Sequence, residues 1–221
     1  MTGPLFPPLW RDRQEAGQAL GRRLASREPL AFDALLLGLP RGGIAVAVAM
    51  AAELQRPVRS WSVRKVADPA RPELAIGAVA AGGVTVWRVG VAAAGEALAR
   101  RQGWLQQQEA ELRCRQRLYG DPAPALLAGR DLIAVDDGIA TGMTVQAALV
   151  SLRRLQPASL TLAVPVVDRV VARALQPLVD RFVALAVVDD LRSVGEWYEQ
   201  FPQLRDQEVL GLLRSQPVGG D

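Results

Sequence analysis

The stretch "LIAVDDGIATGMTVQAALV", Leu132–Val150, decides how this chain is read. Four apolar residues, Leu132 to Val135, lead directly into two adjacent carboxylates, Asp136 and Asp137. Two glycines and two threonines then fall within seven residues, and an Ala-rich segment with helical composition follows. A short apolar run of this kind suits a strand buried on both faces of a parallel sheet. Neighbouring acids at its end repel one another and serve no core, so they ask for a ligand. A Gly- and Thr-rich turn entering a helix offers backbone N–H groups and hydroxyls to an anion, and the helix dipole adds to the attraction. Carboxylates are poor phosphate ligands. Beside a phosphate nest they suit a sugar diol, a bound metal or a developing positive charge, and a sugar phosphate meets every part.

Outward from this stretch the periodicity alternates. Arg11–Ser26 reads as an amphipathic helix with Ala16, Ala19, Leu20 and Leu24 on one face. Asp33–Leu39 reads as a buried strand, Gly42–Leu54 as a small-residue helix and Pro57–Val63 as a strand. Glu73–Gly90 looks like two short strands turning at Gly82–Gly83. Gly95 to Tyr119 reads as one long, charged, Gln-rich helix with the character of a solvated surface element. Beyond the decisive strand come a helix at Gly142–Leu155, a strand at Leu160–Val166, a helix at Asp168–Gln176, a strand at Phe182–Val188 and a last helix near Asp206–Leu213. This rhythm predicts an α/β fold: an open, doubly wound, mostly parallel sheet with helices on both faces. One domain over residues 1–221 is expected, with its core at about 30–190. A hairpin, loop and long-helix insertion falls at about 68–120. A small hood is built from the N-terminal segment and about 189–214.

Composition narrows the chemistry. Half of the 221 residues are apolar, enough for a substantial core. A single cysteine, Cys114, excludes an internal disulfide, and the absence of histidine removes His-based triads and imidazole general bases. No apolar run is long and clean enough to span a bilayer, and the N-terminus lacks a secretory pattern, so a cytoplasmic protein is expected. The net charge of +3 comes from arginines scattered among acids, which argues against a nucleic-acid partner. Of the 26 basic residues only Lys65 is a lysine, and it stands just after the Pro57–Val63 run, where a ligand-facing strand edge is expected. A compact charge on a flexible stem suits a crowded anion pocket, and a solvated strand-end lysine is the plain alternative.

"LIAVDDGIATGMT" resembles, without a gap, the signature of the type I phosphoribosyltransferases: apolar run, two acids, spacer, Thr-Gly-x-Thr. "GLPRGGIAVA", Gly38–Ala47, falls where that family carries its pyrophosphate loop, and "VRKVADPARPELAIGAV" resembles its next strand and the loop that closes over the site. Ser193–Leu204 is similar to the C-terminal segment of family members without an assigned substrate, with a fainter likeness to 6-oxopurine enzymes. The resemblance implies transfer of the 5-phosphoribosyl group of phosphoribosyl pyrophosphate (PRPP) to a nucleobase, a purine being favoured, with release of pyrophosphate. It implies Mg²⁺ held mainly through the ligand and water, and a homo-oligomer, a dimer. A PRPP- or nucleotide-sensing regulator on the same fold is the alternative.

Residue roles follow from the same resemblance. Asp136 and Asp137 would hold the ribose hydroxyls, with Asp137 a proton acceptor from the incoming base and Lys65 a further catalytic cation. Gly138, Ile139, Ala140, Thr141, Gly142, Met143 and Thr144 would hold the 5′-phosphate. Arg41, Gly42, Gly43 and Arg64 would hold pyrophosphate, behind a cis peptide at Pro40–Arg41. Trp197 and Tyr198, with Phe201, either stack on a flat base or cement the tail onto the sheet. Trp10, Trp61, Trp87 and Trp104 are expected to serve packing.

Overall fold

A computed structural model describes residues 7–26, 30–67, 75–88, 90 and 92–216. The chain begins with α1 (Arg13–Ala25), β1 (Leu35–Gly38), α2 (Gly42–Leu54), β2 (Val58–Ser60) and β3 (Val63–Ala67). β4 (Ala75–Ala80), β5 (Val84–Trp87), α3 (Ala92–Arg101) and α4 (Trp104–Tyr119) follow. The remainder comprises β6 (Asp131–Val135), α5 (Met143–Arg153), β7 (Ser159–Asp168), α6 (Arg169–Leu175), β8 (Arg181–Val188) and α7 (Asp206–Arg214). β2-β1-β6-β7-β8 form a parallel sheet with β6 at its centre, as the alternating pattern predicts. β3-β4-β5 form a separate antiparallel sheet.

Alternation along the central strands divides the core. Leu36, Ile133, Val135 and Ala163 face α1 and α2, where Leu20, Leu24, Val46 and Met50 close one apolar layer. Leu35, Leu37, Leu132, Ala134, Leu160 and Leu162 face the other way onto Val145, Ala148, Leu149 and Leu152 of α5. The antiparallel sheet adds Val63, Ala78, Ala80 and Val84 to this second layer, so α5 lies between the two sheets. α3 and α4 cover the outer face of the antiparallel sheet through Ala99, Leu105 and Leu112 against Val66 and Val79.

Two elements differ from the sequence expectation. The run Pro57–Val63 is not one strand, because the chain leaves the parallel sheet after Ser60 and starts the antiparallel one at Val63. At the bend the buried Trp61 donates its indole N–H to Ser151 Oγ on α5 (2.9 Å), and Asp121 accepts from Ser62 N (2.7 Å) and Ser62 Oγ (3.0 Å). Lys65 therefore stands in the middle of β3, opposite Ala78, instead of at a strand end. The expected single helix Gly95–Tyr119 is two helices, broken at Gly103, whose φ of 75° is a left-handed conformation that glycine adopts without a Cβ clash. The closing loop expected after β3, residues 68–74, lies outside the described residues.

Candidate functional site

β6 ends at Val135, which places Asp136 and Asp137 beyond the carboxyl edge of the central strand, where open α/β sheets bind ligands. The following loop is pinned to the overhang of β7: Ile139 N donates to Val166 O and Asp168 N donates to Ile139 O, both at 2.9 Å. Gly142, at φ 74°, turns the loop into α5, whose first backbone N–H groups have no helical partner. Asp136, Asp137, Gly138, Ile139, Ala140, Thr141, Gly142 and Thr144 all line one cleft of about 710 Å³. Met143 does not; it packs against the core.

The opposite wall is cationic. The Pro40–Arg41 peptide is cis, as expected. Leu39, Pro40, Arg41 and Gly42 line the cleft, whereas Gly43 is buried beneath them, where a side chain would run into the Val135 carbonyl. Arg64 and Lys65 enter from β3, and Trp104, Gln107, Gln108 and Arg115 from α4. Arg64 donates to Gln108 Oε1 (3.2 Å), and burial, then the charge of Arg115, pulls its pKa down. Arg115 pairs with Glu111 (3.4 Å). Arg41 Nη1 lies 3.7 Å from Asp206 Oδ1 at the start of α7, and the same carboxylate oxygen accepts from Tyr119 OH (2.6 Å). Burial, followed by that hydrogen bond, pushes the Tyr119 phenol up to about 12.

The two acids are not equivalent. Burial, and then the charge of Asp137, raises the Asp136 carboxyl well above the ordinary carboxylate range; the Asp137 N–H (3.0 Å) and the Lys65 charge pull back. Burial raises Asp137 too, but Arg13 opposes it directly, with Nε 2.7 Å from Asp137 Oδ2. No side chain fits at Gly42, because its Cβ would meet that carboxylate.

The hood is a small assembly in its own right. Leu9 and Trp10 donate to Trp197 O (3.1 and 3.2 Å), Glu199 N donates to Trp10 O (2.9 Å), and Gln200 N donates to Arg11 O (2.8 Å). Tyr198 is buried with its ring stacked on Phe201 (centroids 4.8 Å apart) and tilted against Trp10 (5.6 Å). Its hydroxyl donates to the Asp137 carbonyl at 2.6 Å. Neither Trp197 nor Tyr198 lines the cleft; the hood reaches it through Val194, which sits where a side chain on Gly138 would go.

Three groups of residues in or behind the cleft escaped the sequence reading. Trp104, Gln108 and Arg115 share one helix stripe, and the apolar Leu105, Leu112 and Tyr119 recur at a spacing of seven beside it. That heptad was legible and shows α4 buried along one side, so it is not a freely solvated helix. Val194 carries no signal, and neither does Arg13, whose partner lies 124 residues away.

Comparison with known proteins places this arrangement. The model of the phosphoribosyl transferase domain matches residues 22–202. A protein of Mycobacterium tuberculosis, provisionally named a phosphoribosyl transferase in strains CDC 1551 and H37Rv, is 40% identical over 213 residues. The match takes in 93% of this chain and 46% of that protein, so the chain spans about half the length of the curated relatives it matches. The crystal structure of TT1426 from Thermus thermophilus superposes with a TM-score of 0.71 at 34% identity, covering 92% of this chain and 97% of that one. With the cleft, its acid pair and its small-residue turn all inside the matched region, the chain belongs to the phosphoribosyl transferase domain family.

Proposed function

We propose that this chain is a phosphoribosyltransferase that moves the 5-phosphoribosyl group of PRPP to a nucleobase, a purine before a pyrimidine, and releases pyrophosphate. One observation carries the reading: a single cleft joins two half-buried acids and a small-residue turn at a helix N-terminus to a wall of four cations, Arg41, Arg64, Lys65 and Arg115. That charge pattern suits a ligand with a phosphate at one end, a diol in the middle and a pyrophosphate at the other. Gly138 to Gly142 and Thr144 receive the 5′-phosphate. Asp136 and Asp137 accept from the ribose hydroxyls and favour positive charge developing at C1. The cations stabilise negative charge on the departing pyrophosphate, so positioning and electrostatics supply the catalysis and histidine is not required.

The donors in the cleft are carboxylate and hydroxyl oxygens, which are hard ligands that suit Mg²⁺. Among the described residues no cluster of three or more acids, histidines or cysteines could hold an ion alone. Asp136 and Asp137 are the residues that would hold Mg²⁺ together with the bound ligand, and the ion would neutralise pyrophosphate charge. No helix among the described residues is long and apolar enough to cross a membrane. Release of labelled pyrophosphate from PRPP with Mg²⁺, against a panel of purines and pyrimidines, tests the proposal. Base-dependent release is expected. Tight PRPP binding without release on any base would favour a sensor.

A further inference from the structure

Arg13 is an expensive residue to place where it is. It is the first residue of α1, where the helix dipole disfavours a cation, and it is only 8% exposed. Burying a charge is unfavourable unless a partner charge and hydrogen bonds compensate it. α1 packs on α2 and the sheet through Leu20 and Leu24, so that packing does not call for an arginine at its start. Every contact recorded for the side chain points towards the cleft and the hood. Nε donates to Asp137 Oδ2 at 2.7 Å, Nη1 donates to Pro202 O at 2.9 Å, and the guanidinium carbon lies 3.7 Å from the Phe201 ring centroid. A lysine has one ammonium and no planar face, so it cannot make all three contacts at once.

Asp137 is the meeting point of four chain segments. α1 holds its Oδ2, the hood's Tyr198 holds its carbonyl, the end of β6 supplies it, and the loop at Gly42 gives way to its carboxylate. The hydrogen bond recorded for Asp136 comes instead from its own neighbour's N–H. We propose that Arg13 is a positioning residue of the PRPP site: it fixes Asp137 as an oriented anion for the ribose and locks the hood onto that acid. The inference rests on the phosphoribosyl reading above. It assigns the N-terminal helix a part in substrate binding, and it makes Asp137 a held anion where the sequence suggested a proton acceptor.

The test is calorimetric binding of PRPP and, separately, of pyrophosphate to the full chain with Mg²⁺, with melting curves as a check on folding. Arg13→Gln is expected to weaken PRPP at least about tenfold, or about 1.4 kcal/mol. Pyrophosphate has no ribose, so its affinity should move less than about twofold. In an Asp137→Asn background the further change to Arg13→Gln should cost less than about twofold, because a residue that acts through Asp137 has no effect once the carboxylate is gone. Arg13→Lys keeps the charge without the full set of contacts and should fall between wild type and Gln. If Arg13→Gln does not fold, Arg13→Lys and Phe201→Leu carry the test, each with an expected loss of PRPP affinity of about threefold and unchanged pyrophosphate affinity. Equal PRPP binding by wild type and folded variants would overturn the inference, as would equal losses for PRPP and pyrophosphate. A wild type that binds neither ligand would instead overturn the phosphoribosyl reading, and the role of Arg13 with it.

Discussion

On one side of the cleft, Asp136 to Thr144 are contiguous in sequence and their shape is a main-chain shape, set by a strand end, two hydrogen bonds to β7 and a glycine that turns into α5. On the other side, Arg41, Arg64, Lys65 and Arg115 come from a loop, a strand and a helix, and side-chain contacts hold the three arginines. The first region is written locally, so a short pattern suffices to recognise it. The second exists only once the antiparallel sheet and α4 are in place. Chemistry that depends on backbone amides can be read from a motif, whereas chemistry that depends on converging side chains needs the fold.

Mutations can break that contrast, and the largest effect belongs to the local side. Asp136→Asn with Asp137→Asn should lower PRPP turnover by at least about a thousandfold, about 4 kcal/mol, with the circular dichroism of a folded protein. Unfolding, or undiminished turnover, would remove the acids from the site. Gly42→Ala tests where the two sides touch: its Cβ must displace the Asp137 carboxylate, and PRPP affinity should drop about a hundredfold, about 2.7 kcal/mol, in a titration.

The pH dependence sharpens the difference between the acids. Burial and the charge of Asp137 raise Asp136, and the carboxylate form is the one that accepts from ribose hydroxyls. PRPP affinity should therefore rise with pH along an acid limb above the free-aspartate value of about 3.9, falling roughly tenfold per unit below it. Removing one negative neighbour in Asp137→Asn should move the limb to lower pH; an unmoved limb would mean that another group titrates.

The converging side should respond less steeply, because its cations share the load. Lys65→Arg should lower turnover more than about tenfold, about 1.4 kcal/mol, with an unchanged melting temperature. Near-normal kinetics would return Lys65 to a solvated strand residue. Arg115→Gln should raise KM for PRPP about fivefold, about 1 kcal/mol, with little change in stability because its ion pair with Glu111 is surface-exposed and weak. No change in KM would take α4 out of the binding wall.

Much of the fold was legible because buried parallel strands and amphipathic helices carry different periods, and β1, β6, β7 and β8 each leave an apolar run. The bend at Trp61–Ser62 was not, because it depends on Ser151 and Asp121, both far along the chain. Gly103 broke a helix whose charged pattern continues on both sides, so the pattern alone could not place the break. The strand end, the acid pair and the turn into α5 were legible as local structure, although Met143 packs against the core and does not line the cleft. Tyr198 and Phe201 were noticed as an aromatic group, yet their use as a brace for Arg13 and the Asp137 carbonyl depends on a register between the two ends of the chain that no local spacing encodes.

The placement of α5 between the two sheets has a mechanical consequence. α5 is a spacer between two jaws: the parallel sheet carries the acids, the antiparallel sheet carries Arg64 and Lys65, and the gap between them is the width of one helix with its side chains. Because interiors are packed to crystal-like density, that width is set by residue volume, and Ala147 and Ala148 keep the shaft slender. The calibre of the cleft is therefore written in methyl groups on a helix body behind it.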